Sequence, residues 1–290
     1  MNLFIEYSMV GLASGGMYAL MALGFVLVFK GTGVFNFAQG ELMMLGAYIF
    51  LSVNQLAGMH WSIALAATAL FSFAAGAVIE RTVLRPLAGQ PLLSIVLVTV
   101  GLGLVLKGLA GLVWGQAQRN LPELLPRKPI FIGDILIPGN VFWSFVISML
   151  VVAACLAYFR FTRGGVTMRA AASHQVNAYA VGINVPAVSA LTWGLAAAVG
   201  GFAGVLLAAI NNLTPHLGDL ALSVLAVLIV GGLDSLAGVI VGGLVIGWLQ
   251  GMTGAYLGGQ YREIMPFIVV LLVLLVRPHG LFGRKEIERI

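Results

Sequence analysis

The chain has 290 residues, of which 60% are hydrophobic and 9% are charged, and its formal net charge is +5. A soluble domain of this length needs far more charged surface, so the composition argues against a soluble enzyme and against a soluble nucleic-acid-binding protein. We expect an integral membrane protein whose basic residues lie between apolar segments and orient them.

Nine apolar segments follow one another along the chain. Five approach the roughly 20 residues that an α-helix needs to cross the hydrocarbon core of a bilayer, and four are shorter. The long segments are residues 7–29, 61–79, 92–114, 141–159 and 187–210, and the short ones are residues 42–56, 221–230, 236–249 and 264–276. The runs are apolar on every face and lack the alternation of a membrane β-barrel. We therefore predict an all-α, polytopic helical membrane protein, one domain over residues 1–290, with eight or nine membrane segments that include short re-entrant or broken helices.

The first interruption of this pattern, GVFNFAQGE at residues 33–41, places Asn36, Gln39 and Glu41 between two apolar segments. A second interruption, GGLDS, carries Asp234, and each begins a pair of glycines seven residues apart. Paired, glycine-interrupted segments in the two halves of a chain are typical of transporters, because broken helices expose backbone groups that can meet polar cargo. These four polar residues are therefore candidates for lining a transport path. Helix capping by Asn and Asp is the alternative.

Basic residues cluster in three connections, which the positive-inside rule places in the cytoplasm. The clusters are Arg81 with Arg85, then Arg160, Arg163 and Arg169, and finally Arg277, Arg284, Lys285 and Arg289. This orientation predicts a cytoplasmic C-terminus, an external N-terminus and a location in the cell inner (cytoplasmic) membrane.

The same orientation makes the proline-rich connection at residues 115–140 external. Within it, IFIGDILIPG predicts a small β-hairpin, because a Gly-Asp pair separates two short apolar arms. The orientation also requires residues 221–249 to fold back at GGLDS as two short half-spans. Otherwise the basic C-terminal tail would lie outside.

Residues 160–185, RFTRGGVTMRAAASHQVNAYAVGINV, form the longest basic connection and are prone to form a helix. We predict a helix over residues 166–181 that ends at Gly182, since glycine favours the position just after a helix. Its alanine-rich surface is suited to docking a partner at the cytoplasmic face. An ordinary interfacial helix is the alternative.

No arrangement typical of an enzyme is present in the sequence. The four histidines are isolated, a single cysteine excludes a thiolate metal site, and the phosphate-binding pattern GxxxxGK[ST] is absent. We expect neither catalysis nor a bound cofactor, and any ATP would be hydrolysed by another chain. Lys107, inside an apolar segment, either extends to the membrane surface or lines a path.

In these residues, the chain resembles the LivH-type permease of the high-affinity branched-chain amino acid ABC importers. The matching stretches run through nearly the whole chain. They are GLASGGMYALMALGFVLVFKGTGVFNFAQGELMMLGAY, ERTVLRPLAGQPLLSIVLVTVGLGLVL, TRGGVTMRAAASHQVNAYAVGINV and RPHGLFG. At residues 33–41 the family usually has a motif close to INFAHGD, and here Gln39 stands for its His and Glu41 for its Asp.

The resemblance implies a permease subunit that pairs with a second, related permease as a heterodimer. It also implies two cytoplasmic ATPase subunits that bind the ATP, a periplasmic or extracellular solute-binding protein, and amino-acid cargo. In that family, the loop matching residues 163–182 touches the ATPase, which assigns coupling roles to Arg163, Arg169, Ala171 and Gly182. We call residues 160–185 the coupling segment.

Two alternatives remain open from the sequence. The paired breaks by themselves also suit a stand-alone secondary transporter or a channel for small polar solutes. Similar permeases import urea, short amides or aromatic acids, so those compounds are the alternative cargo.

Overall fold

A computed structural model describes residues 2–122, 124–126, 128–132, 135–173, 175–233, 235–277 and 280–283. The helices are α1 (Asn2–Thr32), α2 (Gln39–Leu51), α3 (Trp61–Ile79), α4 (Leu92–Trp114), α5 (Gly139–Phe161), α6 (Arg163–Ser173), α7 (Gln175–Ala180), α8 (Val185–Asn211), α9 (Ala221–Gly231), α10 (Leu236–Tyr256), α11 (Gly259–Arg262) and α12 (Met265–Val276). Two strands, β1 (Ile130–Ile132) and β2 (Ile135–Ile137), are the sheet structure of the described chain. Short 3-10 turns at Arg85–Leu87 and Leu217–Leu220 and π-turns at Ser52–Leu56 and Glu80–Leu84 adjoin helix ends.

The all-α, polytopic prediction is confirmed. Seven helices in the described part of the chain are long and apolar enough to cross a membrane. They cover Leu3–Thr32, Trp61–Leu87, Leu92–Trp114, Gly139–Phe161, Val185–Asn211, Leu236–Tyr256 and Gly259–Val276. Two shorter apolar helices, α2 and Leu217–Gly231, complete the set.

The chain divides into two compact units that alternate along the sequence. The first unit consists of Met1–Val26, Leu125–Met149 and Leu222–Ile290, and the second of Leu27–Leu124 and Leu150–Ala221. The single domain over residues 1–290 stays a prediction.

In the second unit, α8 is the central helix and packs against α2 and α3. Glycines bring these backbones together: a Cβ at Gly204 would lie 2.0 Å from the Met43 carbonyl oxygen, and one at Gly46 would lie 2.3 Å from Gly201 Cα. Small residues allow such close packing of membrane helices. Close contact between the backbones of neighbouring helices therefore holds the interior of this unit together.

The first unit uses the same device between α10 and the first part of α1. A Cβ at Gly247 would lie 2.3 Å from Gly15 Cα, and one at Gly243 would lie 2.7 Å from the Gly15 carbonyl oxygen. Trp248 Nε1 donates a hydrogen bond to Ser8 Oγ at 3.1 Å and fixes the register of the two helices. The recurrent glycine spacing in both segments is thus a helix-packing signal.

The predicted break at GGLDS is present, but the second half-span is longer than expected. α9 ends at Gly231 and α10 begins at Leu236, where the Ser235 Oγ accepts a hydrogen bond from Gly238 N at 3.0 Å. α10 has 21 residues, enough to cross a bilayer. Beyond α12, Leu281 N donates a hydrogen bond to the Val230 carbonyl at 2.8 Å. The break between α9 and α10 therefore lies beside the end of α12. The sequence pattern missed this because polar Gln250 and Thr253, both buried, interrupt the apolar run of α10.

Two local predictions have different outcomes. The hairpin in the connection at residues 115–140 is confirmed, since β1 and β2 pair antiparallel with Ile130 opposite Ile137. The single helix over residues 166–181 is wrong in its bounds: α6 begins three residues earlier at Arg163, and α7 is a separate short helix. α6 begins early because the Thr162 Oγ1 accepts a hydrogen bond from Gly165 N at 3.1 Å and caps it.

Candidate functional site

The break between α1 and α2 buries two polar side chains in the second unit. Asn36 and Gln39 both have 0% exposed surface. Asn36 Nδ2 donates to Gln39 Oε1 at 3.2 Å, and Gln39 Nε2 donates to the Ala196 carbonyl of α8 at 2.9 Å. The pair therefore links the broken segment to the central helix.

Further hydrogen bonds hold the non-helical stretch before α2. Asn36 Oδ1 accepts from Ala38 N at 3.0 Å and so holds a local turn, while α2 itself begins without a side-chain cap. Phe37 N donates to Thr99 Oγ1 of α4 at 3.3 Å. The stretch opens at Gly33, whose positive φ of 71° is a backbone conformation that favours glycine. Asn36 and Gln39 thus hold a local turn and also link it to the neighbouring helix α8.

Glu41 lies on a different side of α2 from Gln39. A Cβ at Gly103 would lie 3.2 Å from Glu41 Oε2, so the carboxylate faces α4, whereas Gln39 faces α8. Glu41 is partly buried. The structure brings Asn36 and Gln39 together and separates Glu41 from them.

One helical turn beyond Gly103, Lys107 forms an ion pair with Asp219. Its Nζ lies 2.7 Å and 2.8 Å from the two carboxylate oxygens of Asp219, and His216 Nδ1 lies 3.0 Å from Asp219 Oδ2. The start of α2 is close by, because a Cβ at Gly40 would lie 2.4 Å from the Gly218 carbonyl oxygen. A charged group has thus been neutralised where α2, α4 and the turn before α9 meet.

This ion pair predicts a modest stabilising effect. Changing Lys107 to Gln leaves the Asp219 carboxylate without its cation, and we expect the thermal midpoint in detergent to fall by about 2 °C. The double variant Lys107→Asp/Asp219→Lys should recover most of that loss. Lys128→Gln, at an exposed lysine, is the matched control, and an equal shift in both single variants would show that the pair does not stabilise the unit.

Asp234, the fourth candidate for the path, lies outside the described residues. Its neighbours on both sides are described: Gly232 has a positive φ of 97°, and Ser235 caps α10. Both interruptions thus contain a glycine with positive φ, Gly33 in the first and Gly232 in the second. The glycines of the sequence repeat are Gly33 and Gly231, and Gly231 belongs to α9, so the repeat does not place the two positive-φ glycines in register.

The coupling segment connects α5 to α8. Met168 and Ala171 of α6 are buried at 1% exposure each, and α6 packs against α8. Arg163 and Arg169 are exposed. Gly182 has a positive φ of 82° and its N–H donates to the Tyr179 carbonyl at 3.0 Å, which is the helix-ending geometry predicted for this position.

The outward face of the coupling segment is apolar as well as basic. The exposed apolar residues are Val166 at 52%, Val176 at 76%, Tyr179 at 54% and Val181 at 75%. Exposed apolar side chains beside arginines are typical of a protein contact surface. The segment is therefore a candidate docking surface.

Sequence reasoning missed the partners of the predicted residues. Nothing in the apolar pattern singled out Thr99 or the Ala196 carbonyl, since contacts between distant helices leave no local signal. Asp219 stood in a polar stretch, NNLTPHLGD, and that composition could have suggested a partner for Lys107. Among the described residues, no group of His, Cys, Asp or Glu could hold a metal ion.

Comparison with known proteins gives consistent matches over the whole chain. Residues 8–274 match the family described as branched-chain amino acid transport system, permease component. The chain is 30% identical to the high-affinity branched-chain amino acid transport system permease protein LivH of Salmonella typhimurium, over 99% of this chain and 98% of that protein. It is 31% identical to the corresponding permease protein BraD of Pseudomonas aeruginosa, with 99% and 98% coverage. Among solved structures, PsaBC from Streptococcus pneumoniae in complex with Fab matches 96% of this chain and 94% of the compared chain, at 15% identity and a TM-score of 0.49.

Proposed function

Because the chain belongs to the branched-chain amino acid transport system permease family, we propose that it is the membrane-spanning permease subunit of an ABC importer in the cell inner membrane. It forms a translocation path with a second, related permease, and two cytoplasmic ATPases drive the cycle. An external solute-binding protein delivers a branched-chain amino acid. This chain binds no cofactor of its own, and its C-terminus is cytoplasmic.

The coupling segment carries this proposal. Its inner side packs on α8, the central helix of the second unit, and its outer side offers arginines and apolar residues to a partner. A partner that moves the segment therefore moves α8. Gln39 of the broken stretch is hydrogen-bonded to that same helix, so the movement reaches the polar residues proposed for the path.

The polar residues proposed to line the translocation path are Asn36, Gln39, Glu41 and Asp234. Polar groups there replace part of the hydration of a zwitterionic cargo without binding it tightly, which would slow its release. A stand-alone secondary transporter would need buried carboxylates to couple cargo to an ion gradient. Of the path candidates in the described part of the chain, the carboxylate Glu41 is only partly buried. The buried carboxylate of Glu80 is already paired with Arg85 at 2.7 Å, and this favours the ATP-driven mechanism.

The coupling role predicts the effect of two substitutions. Arg169→Glu reverses the charge of the docking surface, and Gly182→Val forces a β-branched residue into a backbone conformation with positive φ. We expect each to lower cargo-stimulated ATP hydrolysis and leucine uptake by at least about fivefold. The protein should remain in the membrane at the level of the unchanged chain.

The matched controls are Arg81→Glu and Gly259→Val. Arg81 is another exposed arginine, and Gly259 has open space around its Cα and no positive φ. Uptake and hydrolysis that are unchanged in both coupling variants would remove the docking role.

Reconstitution tests the proposed function as a whole. Proteoliposomes containing the permease pair and both ATPases should accumulate radiolabelled leucine only with ATP and a loaded binding protein. Accumulation by this chain without ATPases would overturn the proposal in favour of a secondary transporter. Permeation down a gradient without ATP would indicate a channel.

A further inference from the structure

A cavity of about 300 Å³ lies in the second unit, at the end that carries the coupling segment. The end of α1, the connection Glu80–Gly89, Tyr179 of α7 and the first turns of α8 line it. Cavities of roughly this size bind small organic molecules in other proteins. None of the residues assigned above to the path lines it, and of the exposed apolar residues of the coupling segment only Tyr179 does.

The polar part of the cavity wall is a pair of opposite charges. The Glu80 side chain is 5% exposed and accepts from Arg85 Nη2 at 2.7 Å and from Arg85 Nε at 3.4 Å. Arg85 Nη2 also donates to the Pro186 carbonyl at 3.1 Å. Among the described residues, Arg85 Nη1 donates to no protein acceptor, so two N–H donors remain available to a bound anion.

The remaining wall is largely apolar. Val34, Leu84, Leu87, Ile95 and Trp193 line it. Burying a branched aliphatic side chain against such residues removes apolar surface from water and is favourable. The first turn of α8 adds the partial positive charge of a helix N-terminus on the side of Arg85.

We propose that this cavity binds a zwitterionic amino acid with a branched aliphatic side chain, reached from the side on which the coupling segment lies. The carboxylate meets Arg85, the ammonium group meets the Glu80 carboxylate, and the side chain contacts the apolar wall. The bound molecule adds one positive and one negative charge to an existing pair, so the site stays neutral overall. This inference rests on the proposed function, because it takes the cargo itself as the ligand.

The position of the cavity gives binding a consequence for transport. Tyr179 belongs to the coupling segment, and Pro186 begins the central helix, so a ligand between them restrains both elements. Cargo that has accumulated inside then slows the cycle that imported it. A ligand can shift a conformational equilibrium only by its difference in affinity for the two states, and this cavity offers such a difference if the coupling segment moves.

Direct binding tests the site. The complete transporter in nanodiscs, without binding protein and without ATP, should bind radiolabelled leucine saturably at one site for each copy of this chain. 4-Methylpentanoate lacks the ammonium group and leucinamide lacks the carboxylate, so each should compete at least about tenfold less well than leucine.

A cavity-filling variant separates the site from the rest of the molecule. Ala88 is exposed at the cavity wall, so Ala88→Trp fills the space without changing the ion pair, and Ala66→Trp on an exposed face of α3 is the matched control. Leucine affinity should fall at least about tenfold in Ala88→Trp and stay unchanged in Ala66→Trp. Arg85→Gln should lower leucine affinity to a similar extent. If the Arg85→Gln protein does not fold, the comparison of Ala88→Trp with Ala66→Trp decides the question. Equal leucine affinity in the two tryptophan variants would overturn the inference, and so would the absence of leucine binding by the unchanged transporter.

A functional arm distinguishes this inference from the proposed function. Leucine added on the ATPase-bearing side should slow ATP hydrolysis by the unchanged transporter, and the slowing should disappear in Ala88→Trp. If uptake into leucine-free liposomes is normal but added leucine has no effect on hydrolysis, the inference fails while the proposed function stands. If the assembled transporter shows no ATP-dependent uptake at all, the proposed function fails first.

Discussion

Gly204→Ala is expected to destabilise the protein by about 3 kcal/mol, the upper end of what overpacking costs in a tightly packed interior. The added Cβ would lie 2.0 Å from the Met43 carbonyl oxygen and 2.7 Å from its carbonyl carbon. Both atoms are backbone, so no side-chain rotation can relieve the clash, and α2 and α8 must move apart. The thermal midpoint of the purified protein in detergent measures the loss.

The matched control is Gly101→Ala in α4. Nothing lies within 4 Å of a Cβ at Gly101, and that residue is exposed. Alanine is favoured over glycine inside a helix by about 1 kcal/mol, so this variant should be neutral or slightly more stable. The two substitutions are chemically identical and differ only in packing. A loss of similar size in both would mean that close contact between α2 and α8 does not hold the second unit together.

Gln39→Leu is expected to lower leucine uptake by the assembled transporter at least about tenfold, because an unpartnered buried polar group costs about 1–3 kcal/mol. Leucine cannot donate to the Ala196 carbonyl or accept from Asn36 Nδ2, and Asn36 Nδ2 then loses the acceptor it has in an interior with 0% exposure. The stretch before α2 loses its hydrogen-bonded link to the central helix. Initial uptake rates in proteoliposomes, at equal amounts of protein, measure the effect.

Gln55→Leu is the matched control for this substitution. Gln55 is exposed, and its Nε2 donates to the Asn120 carbonyl at the surface of the same unit. Its replacement should change uptake by less than about twofold, since exposed groups exchange protein hydrogen bonds for water. Full uptake by Gln39→Leu would show that the buried amide serves only to hold the local turn and pack α2.

Much of the fold follows from local features of the sequence. The long apolar runs gave helices of the predicted kind, the Gly-Asp pair separated two paired strands, and Gly182 ended α7. Each of these features depends on neighbours in the chain: hydrophobic run length, turn chemistry and backbone conformation. The length of α10 was underestimated because the prediction took polarity at Gln250 as a helix end, whereas the folded first unit buries that side chain at 3% exposure. Gln250 Nε2 donates to the Arg262 carbonyl there, at 3.2 Å.

The candidate site, too, could be predicted from the sequence only in part. The polar residues of GVFNFAQGE could be singled out because they interrupt an apolar chain. Their partners could not, since Ala196 lies 157 residues from Gln39 in sequence. The pairing of Lys107 with Asp219 and the position of the Glu80–Arg85 pair on a cavity wall likewise join distant parts of the chain.

By itself, the sequence determined that this chain lies in a membrane as a set of helices, where those helices are interrupted, and which family of permeases it resembles. These properties depend on composition, run length and local residue order. Only the tertiary structure decided that Gln39 faces α8 while Glu41 faces α4, that Lys107 is neutralised, and that an ion pair lines a cavity beside the coupling segment. Those outcomes depend on which helices approach closely enough for side chains to meet, and glycine-to-backbone contacts set that approach.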